Sequence, residues 1–227
     1  MSGLFLLLAL NQCGLERPLL TWDAPLRVSS SGTTFSFKAL DTHHDDSARL
    51  FLGYEVYYKL KKPDENFSPE ETNIQDANQL EAKGFRRLYS KTDSWDPRSI
   101  TYPLYKTENS YEGNEYTIVI DFSDIAQCEI YDKDKTRDTY EFRRSVSYTG
   151  QSPAYFKHFN KFAQDDDDKG SLDLSGLSNG QEFQAQIALY AVAYGRSIAS
   201  NSFFAEIKSP PCFLSFLTLT FVYDETE

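Results

Sequence analysis

The 227-residue chain is long enough to bury a sizeable core, as one large domain or two small ones. Its 23 basic residues against 34 acidic ones leave a formal charge of −11, which repels polyphosphate and argues against nucleic-acid binding. Aromatics make up 15% of the residues, too many for a disordered chain, and no apolar run is long enough to span a bilayer as a helix.

The chain opens Met1-Ser2-Gly3 and continues with the apolar run Leu4-Phe5-Leu6-Leu7-Leu8-Ala9-Leu10. A short apolar run at the start of a chain reads as the h-region of a secretory signal. The competing reading is a buried first strand. Leu10 stands three residues before Cys13, and Leu10-Asn11-Gln12-Cys13 resembles the lipobox of bacterial lipoproteins, in the looser form of spirochaetes. That resemblance implies a signal peptide over 1–12, a diacylglyceryl group on the Cys13 thiol, and a tether over 13–25 with Pro18 and Pro25. It also implies a partner, the membrane, reached through the N-terminal lipid, and an address at the bacterial outer membrane or cell surface. Each buried CH₂ of such an anchor contributes about 0.8 kcal/mol.

Along the mature chain, Ser29-Ser30-Ser31-Gly32 reads as a turn, and Phe35, Phe37 and Ala39 alternate with polar neighbours as in a half-buried strand. Asp41 to Ala48 reads as a loop. The clearest strand is Phe51 to Leu60, with Tyr54, Val56 and Tyr58 on one face and Glu55, Tyr57 and Lys59 on the other. Ser68-Pro69-Glu70-Glu71 has the form of a helix start, and Ile74, Ala77 and Leu80 follow at helical spacing before Gly84, so one helix is expected. Segments 85–89, 101–105, 115–122 and 139–146 read as strands. Leu177-Ser178-Asn179-Gly180 is a turn, followed by a long strand to Ala193, a second turn at Tyr194–Ser197, and a strand at Ser202–Ile207 closed by Pro210-Pro211. Phe213 to Tyr223, apolar on both faces, reads as a buried final strand.

Gly53-Tyr54-Glu55-Val56-Tyr57-Tyr58 resembles the third strand of fibronectin type III domains. Leu177 to Ala193 resembles the turn and long strand before that family's last hairpin, and Ser197 to Ile207 its closing strand. The resemblance implies a mainly all-β chain: an immunoglobulin-like sandwich over 26–209, interrupted at about 62–175 by an insertion carrying extra strands and one helix. Residues 210–227 form a C-terminal strand and acidic tail.

Chemistry is sparse. No HExxH, GxGxxG or GxxxxGK[ST] pattern occurs, and Gly176-Leu177-Ser178-Asn179-Gly180, which has the GxSxG spacing, reads as a turn into a strand and not as a strand-to-helix elbow, so neither a cofactor nor a catalytic residue is expected. His43-His44 sits among Asp41, Asp45 and Asp46, but neighbouring side chains in extended backbone point apart, and a solvated loop is expected instead of a metal site. In Asp165-Asp166-Asp167-Asp168-Lys169-Gly170, Lys169 and Gly176 occupy positions where a calcium loop needs ligands, so the run reads as a self-repelling surface loop open to Lys-directed proteolysis. With Cys13 used for lipid, Cys128 and Cys212 remain, either as a disulfide in an oxidising compartment or as two buried thiols. Tyr57, Tyr102, Tyr105, Tyr148 and Tyr155 are candidates for outward-facing contacts, but an extended two-sheet fold needs many aromatics for its core and cross-strand pairs, and that role is the expectation. The leading expectation is a non-catalytic, lipid-anchored envelope protein that binds a protein or glycan ligand. The alternatives are a carbohydrate hydrolase with paired carboxylates and a purely structural envelope component.

Overall fold

The computed structural model describes residues 22–39, 49–90, 104–106, 116–124, 128–134, 139–146, 155–199 and 202–225. The described chain is mainly β. Its strands are β1 (Leu26–Ser31), β2 (Thr34–Ala39), β3 (Arg49–Lys61), β4 (Arg86–Ser90), β5 (Tyr105–Lys106), β6 (Tyr116–Asp121), β7 (Glu129–Asp132), β8 (Tyr140–Val146), β9 (Tyr155–His158), β10 (Lys161–Phe162), β11 (Glu182–Ala199), β12 (Ser202–Lys208) and β13 (Cys212–Tyr223). Two short helices, α1 (Pro69–Thr72) and α2 (Gln79–Ala82), lie between β3 and β4.

The strands join in one curled, open sheet in the order β1-β2-β6-β7-β8-β4-β3-β11-β13-β10, with β12 on β11, β5 on β3 and β9 on β8. The curl brings β1 and β2 against β13. Segment 62–175, expected as an insertion, supplies strands β4 to β10, and β6, β7, β8 and β4 stand between β2 and β3 in the sheet. β13 is no appendage: it pairs antiparallel with β11 from Val222↔Glu182 to Cys212↔Ala191.

Alternation explains the inner face. Phe35 and Phe37 of β2, Ile118 and Ile120 of β6, Phe142 of β8, Tyr54, Val56 and Tyr58 of β3, and Ile187 and Leu189 of β11 all point into one aromatic-rich core. Edge-to-face pairs such as Phe37–Tyr54 and Phe122–Phe142 fill it. β3 and β11 are buried on their outer faces too. There Tyr57, Ala188, Tyr190 and Val192 meet Ile74, Ala77, Leu80 and Phe85 in a second core under the helices.

Three expectations are corrected locally. The Ser29–Ser31 stretch is strand, and the turn is Gly32-Thr33, with Gly32 at φ +57°. The serines extend the hairpin by bonding across it: the Ser36 hydroxyl donates to the Ser29 carbonyl at 3.0 Å, and Thr34 to the Ser31 carbonyl at 2.9 Å. The turn signal Tyr194–Ser197 is instead a β-bulge inside β11, which runs on to Ala199. The single helix is two, because the Tyr190 hydroxyl enters between them, donating to the Glu71 carbonyl at 3.0 Å and accepting from the Ile74 amide at 3.1 Å. The helix start expected at Ser68 is present, with Pro69 in the first turn and the Glu71 carboxylate accepting the Ser68 amide at 2.7 Å.

Candidate functional site: a polar cleft and two buried charge clusters

The segment between α1 and α2 stands against the end of β12 and bounds an open cleft of about 280 Å³, small for a ligand site. Gln75, Asp76 and Asn78 line one side, and Glu206, Lys208 and Pro210 the other. The loop is shaped locally: the Asp76 carboxylate accepts the Asn78 amide at 2.9 Å, and Tyr190 holds the turn before it. Opposite, Ser209 is pinned to β11, its hydroxyl accepting the Ala193 amide at 2.9 Å.

Behind the cleft lies a buried acid. Glu55, on the outer face of β3, is wholly inaccessible. Its carboxylate lies 3.1 Å from the Arg87 guanidinium and 3.2 Å from the Lys208 ammonium, and accepts the Tyr57 hydroxyl at 2.8 Å. Lys208 also donates to the Tyr57 oxygen at 3.0 Å. Burial first, then the neighbouring Glu55 charge, raises the Tyr57 pKa far above the usual phenol range, so Tyr57 stays a neutral donor. With the Lys208 charge matched by Glu55, the carboxylates of Asp76 and Glu206 give the cleft the character of a hydrogen-bond acceptor. The Glu206 carboxylate itself accepts the Tyr194 hydroxyl at 3.0 Å.

The second cluster overturns the reading of the acidic run as a self-repelling surface loop. The Asp166 and Asp168 side chains are fully buried, on either side of Arg144 of β8, also fully buried. Arg144 donates to Asp168 Oδ1 at 2.7 Å, to Asp166 Oδ2, and to the carbonyls of Lys161 and His158. Lys157 of β9 completes the set, 3.0 Å from Asp166 Oδ1, and the Tyr58 hydroxyl donates to Asp168. Two cations face two carboxylates, which is the condition for keeping charge inside a protein. The guanidinium also stacks 3.9 Å above the Phe162 ring. Burial lowers the Arg144 pKa, but Asp168 and Asp166 more than restore it, so the guanidinium stays charged. Burial raises the Asp168 pKa against the pull of Arg144, and burial with the Asp168 charge raises Tyr58 well above a free phenol.

Of the residues singled out by sequence, Cys13, the His43-His44 loop, Tyr102 and Tyr148 lie outside the described residues, as does the side chain of Tyr155. Cys128 and Cys212 stand as free thiols in this structure, the first buried and the second half-buried. Burial raises the pKa of both, that of Cys128 to about 12. Tyr57 and Tyr105 are buried, in keeping with the core role, because the helices cover the outer face of β3 and Tyr105 packs edge-to-face on Tyr140. Sequence reasoning missed Glu55, Lys208, Arg144 and Lys157. Glu55 alone carries a signal, a charge between Tyr54 and Val56 in an otherwise apolar strand; Arg144, Lys157 and Lys208 each have at least one polar neighbour and carry none. Among the described residues no group of three or more His, Cys, Asp or Glu is placed to hold a metal ion. The chain matches no protein-family model, no curated protein and no solved structure.

Proposed function

We propose that the chain is a lipid-anchored protein of a bacterial cell envelope whose β body binds a macromolecular partner, protein or glycan, without catalysis. The observation that carries the binding part is the use of the charges. The converging carboxylates, Asp166 and Asp168, face Arg144 in the interior, and Glu55 faces Arg87 and Lys208. Such pairing supports a rigid framework in preference to a hydrolytic pair opening on a cleft. The open polar cleft between residues 75–78 and 206–210 supplies hydrogen-bond acceptors suited to hydroxyl or amide donors of a partner.

The fibronectin-like reading is supported by one arrangement. The segments that resemble that family's third, sixth and seventh strands are β3, β11 and β12, and β11 pairs with both of the others. A C-F-G order of this kind belongs to immunoglobulin-like sandwiches. The address rests on the apolar run Leu4–Leu10 and on Cys13 three residues after it. Radiolabelled palmitate fed to cells expressing the full chain is expected to label the protein, and Cys13→Ala is expected to abolish the label. Undiminished labelling of the variant overturns the anchor.

A further inference from the structure

We propose that residues 163–174 form a latched strap, and that the Lys169–Gly170 peptide bond within it is a cleavage site for a trypsin-like serine protease, closed while Asp166 and Asp168 hold Arg144. Asp-Asp-Asp-Asp-Lys is a recognition sequence for Lys-directed serine proteases, which seat the lysine in an S1 pocket and read the preceding acids with basic residues. A protease must draw such a segment into its groove in extended form, with its side chains free.

The structure holds this segment down at several points. The strap alternates between outside and inside: Asp165, Asp167 and Asp173 are exposed, while Asp166, Asp168, Leu172 and Leu174 are buried. Asp166 Oδ2 accepts the Ala163 amide at 2.8 Å, closing a tight turn, and both inward acids end on Arg144. The Lys169 ammonium folds back onto the Gln164 carbonyl. Gly170, at φ +63°, passes so close to β3 that a Cβ there meets the Leu60 carbonyl oxygen at 2.3 Å. The Ser171 hydroxyl donates to Glu65 at 2.6 Å and accepts the Lys62 amide at 3.3 Å.

Cleavage is a hydrolysis. Water adds across the Lys169–Gly170 amide, the carbonyl carbon becomes the Lys169 carboxylate, and the nitrogen leaves as the Gly170 amine. Releasing the latch unpairs Arg144 from the strap acids and bares Phe162 and Tyr58, so the same event that admits the protease opens the base of the core.

The test is digestion of the full chain with enteropeptidase, followed by mass spectrometry. Two variants release the strap and leave the recognition residues Asp165–Lys169 intact: Gly170→Ala, which collides with the Leu60 carbonyl, and Arg144→Met, which removes the clamp. The wild type is expected to resist, and each variant to yield fragments 1–169 and 170–227 at least about tenfold faster, because cleavage follows the population of the open form. Equal rates for wild type and variants overturn the proposal. If a variant loses its near-ultraviolet circular dichroism, the decision passes to hydrogen exchange in the wild type. A slowly exchanging Ala163 amide supports the latch, and exchange at the rate of an open loop overturns it.

Discussion

Arg144 shows how much one buried cation commits its neighbours. Its side chain has no contact with solvent, and its two carboxylate partners have none either. Removing one member of such a set leaves uncompensated charge in a low dielectric, at a cost of about 3–5 kcal/mol. Arg144→Ala is therefore expected to lower stability by that amount, read as a shift in the urea midpoint at constant m-value. A loss below about 1 kcal/mol would mean that water reaches the cluster and that the charges are not desolvated. None of this pairing is legible in the sequence. Asp165 to Lys169 reads as solvated because a run of like charges usually is, and the cation that neutralises it stands 22 positions earlier in the chain, on another strand.

At the scale of elements, α1 is four residues long and gains nothing from propagation, so its position depends on side chains. Glu71 is the anchor. Its carboxylate accepts Lys59 and Lys61 of β3, each at 2.7 Å, and the Ser68 amide at 2.7 Å. Burial pushes the Glu71 pKa up, but these three hydrogen bonds outweigh it and hold the carboxyl at about 2, against 4.5 when free. The folded state thus binds the proton more weakly than the unfolded state. The stabilisation is complete above about pH 4.5 and is lost as the pH falls towards 2. Glu71→Gln is expected to cost about 2 kcal/mol at neutral pH and to flatten this part of the acid limb. Urea midpoints at about pH 6 and about pH 3 check it; an unchanged acid limb in the variant removes Glu71 from the account. The same region shows what a pattern can convey. Ile74, Ala77 and Leu80 are all buried, as their spacing predicts, yet the helix they imply is broken by Tyr190, a residue of β11. The strands of β2, β6 and β8 are legible because alternation is local. The helix break, the outer burial of Tyr57 and the cleft between residues 75–78 and 206–210 depend on partners that only the fold brings near.

On the scale of the whole molecule, the question is whether the segment between β3 and β11 is a separate unit. An autonomous insertion would have its own core and unfold by itself. Here β4 bridges β3 and β8, β10 pairs with β13, and Leu172 and Leu174 enter the same core as Phe37 and Ile187. Asp168, from that segment and paired there with Arg144, accepts the Tyr58 hydroxyl of β3. Its strands and the flanking ones therefore cannot lose their partners independently. Scanning calorimetry is expected to show one transition whose calorimetric and van't Hoff enthalpies agree. The strand pairs β3–β11 and β11–β13 join distant parts of the chain, so refolding belongs with slow, high-contact-order β proteins, on a scale of about milliseconds to seconds or longer. Two resolved transitions would show instead that 62–175 folds separately and that the continuous sheet is a docked pair. A single transition lost altogether in Arg144→Ala, with no residual domain melting at the wild-type temperature, would place the charge cluster at the joint on which that cooperativity depends.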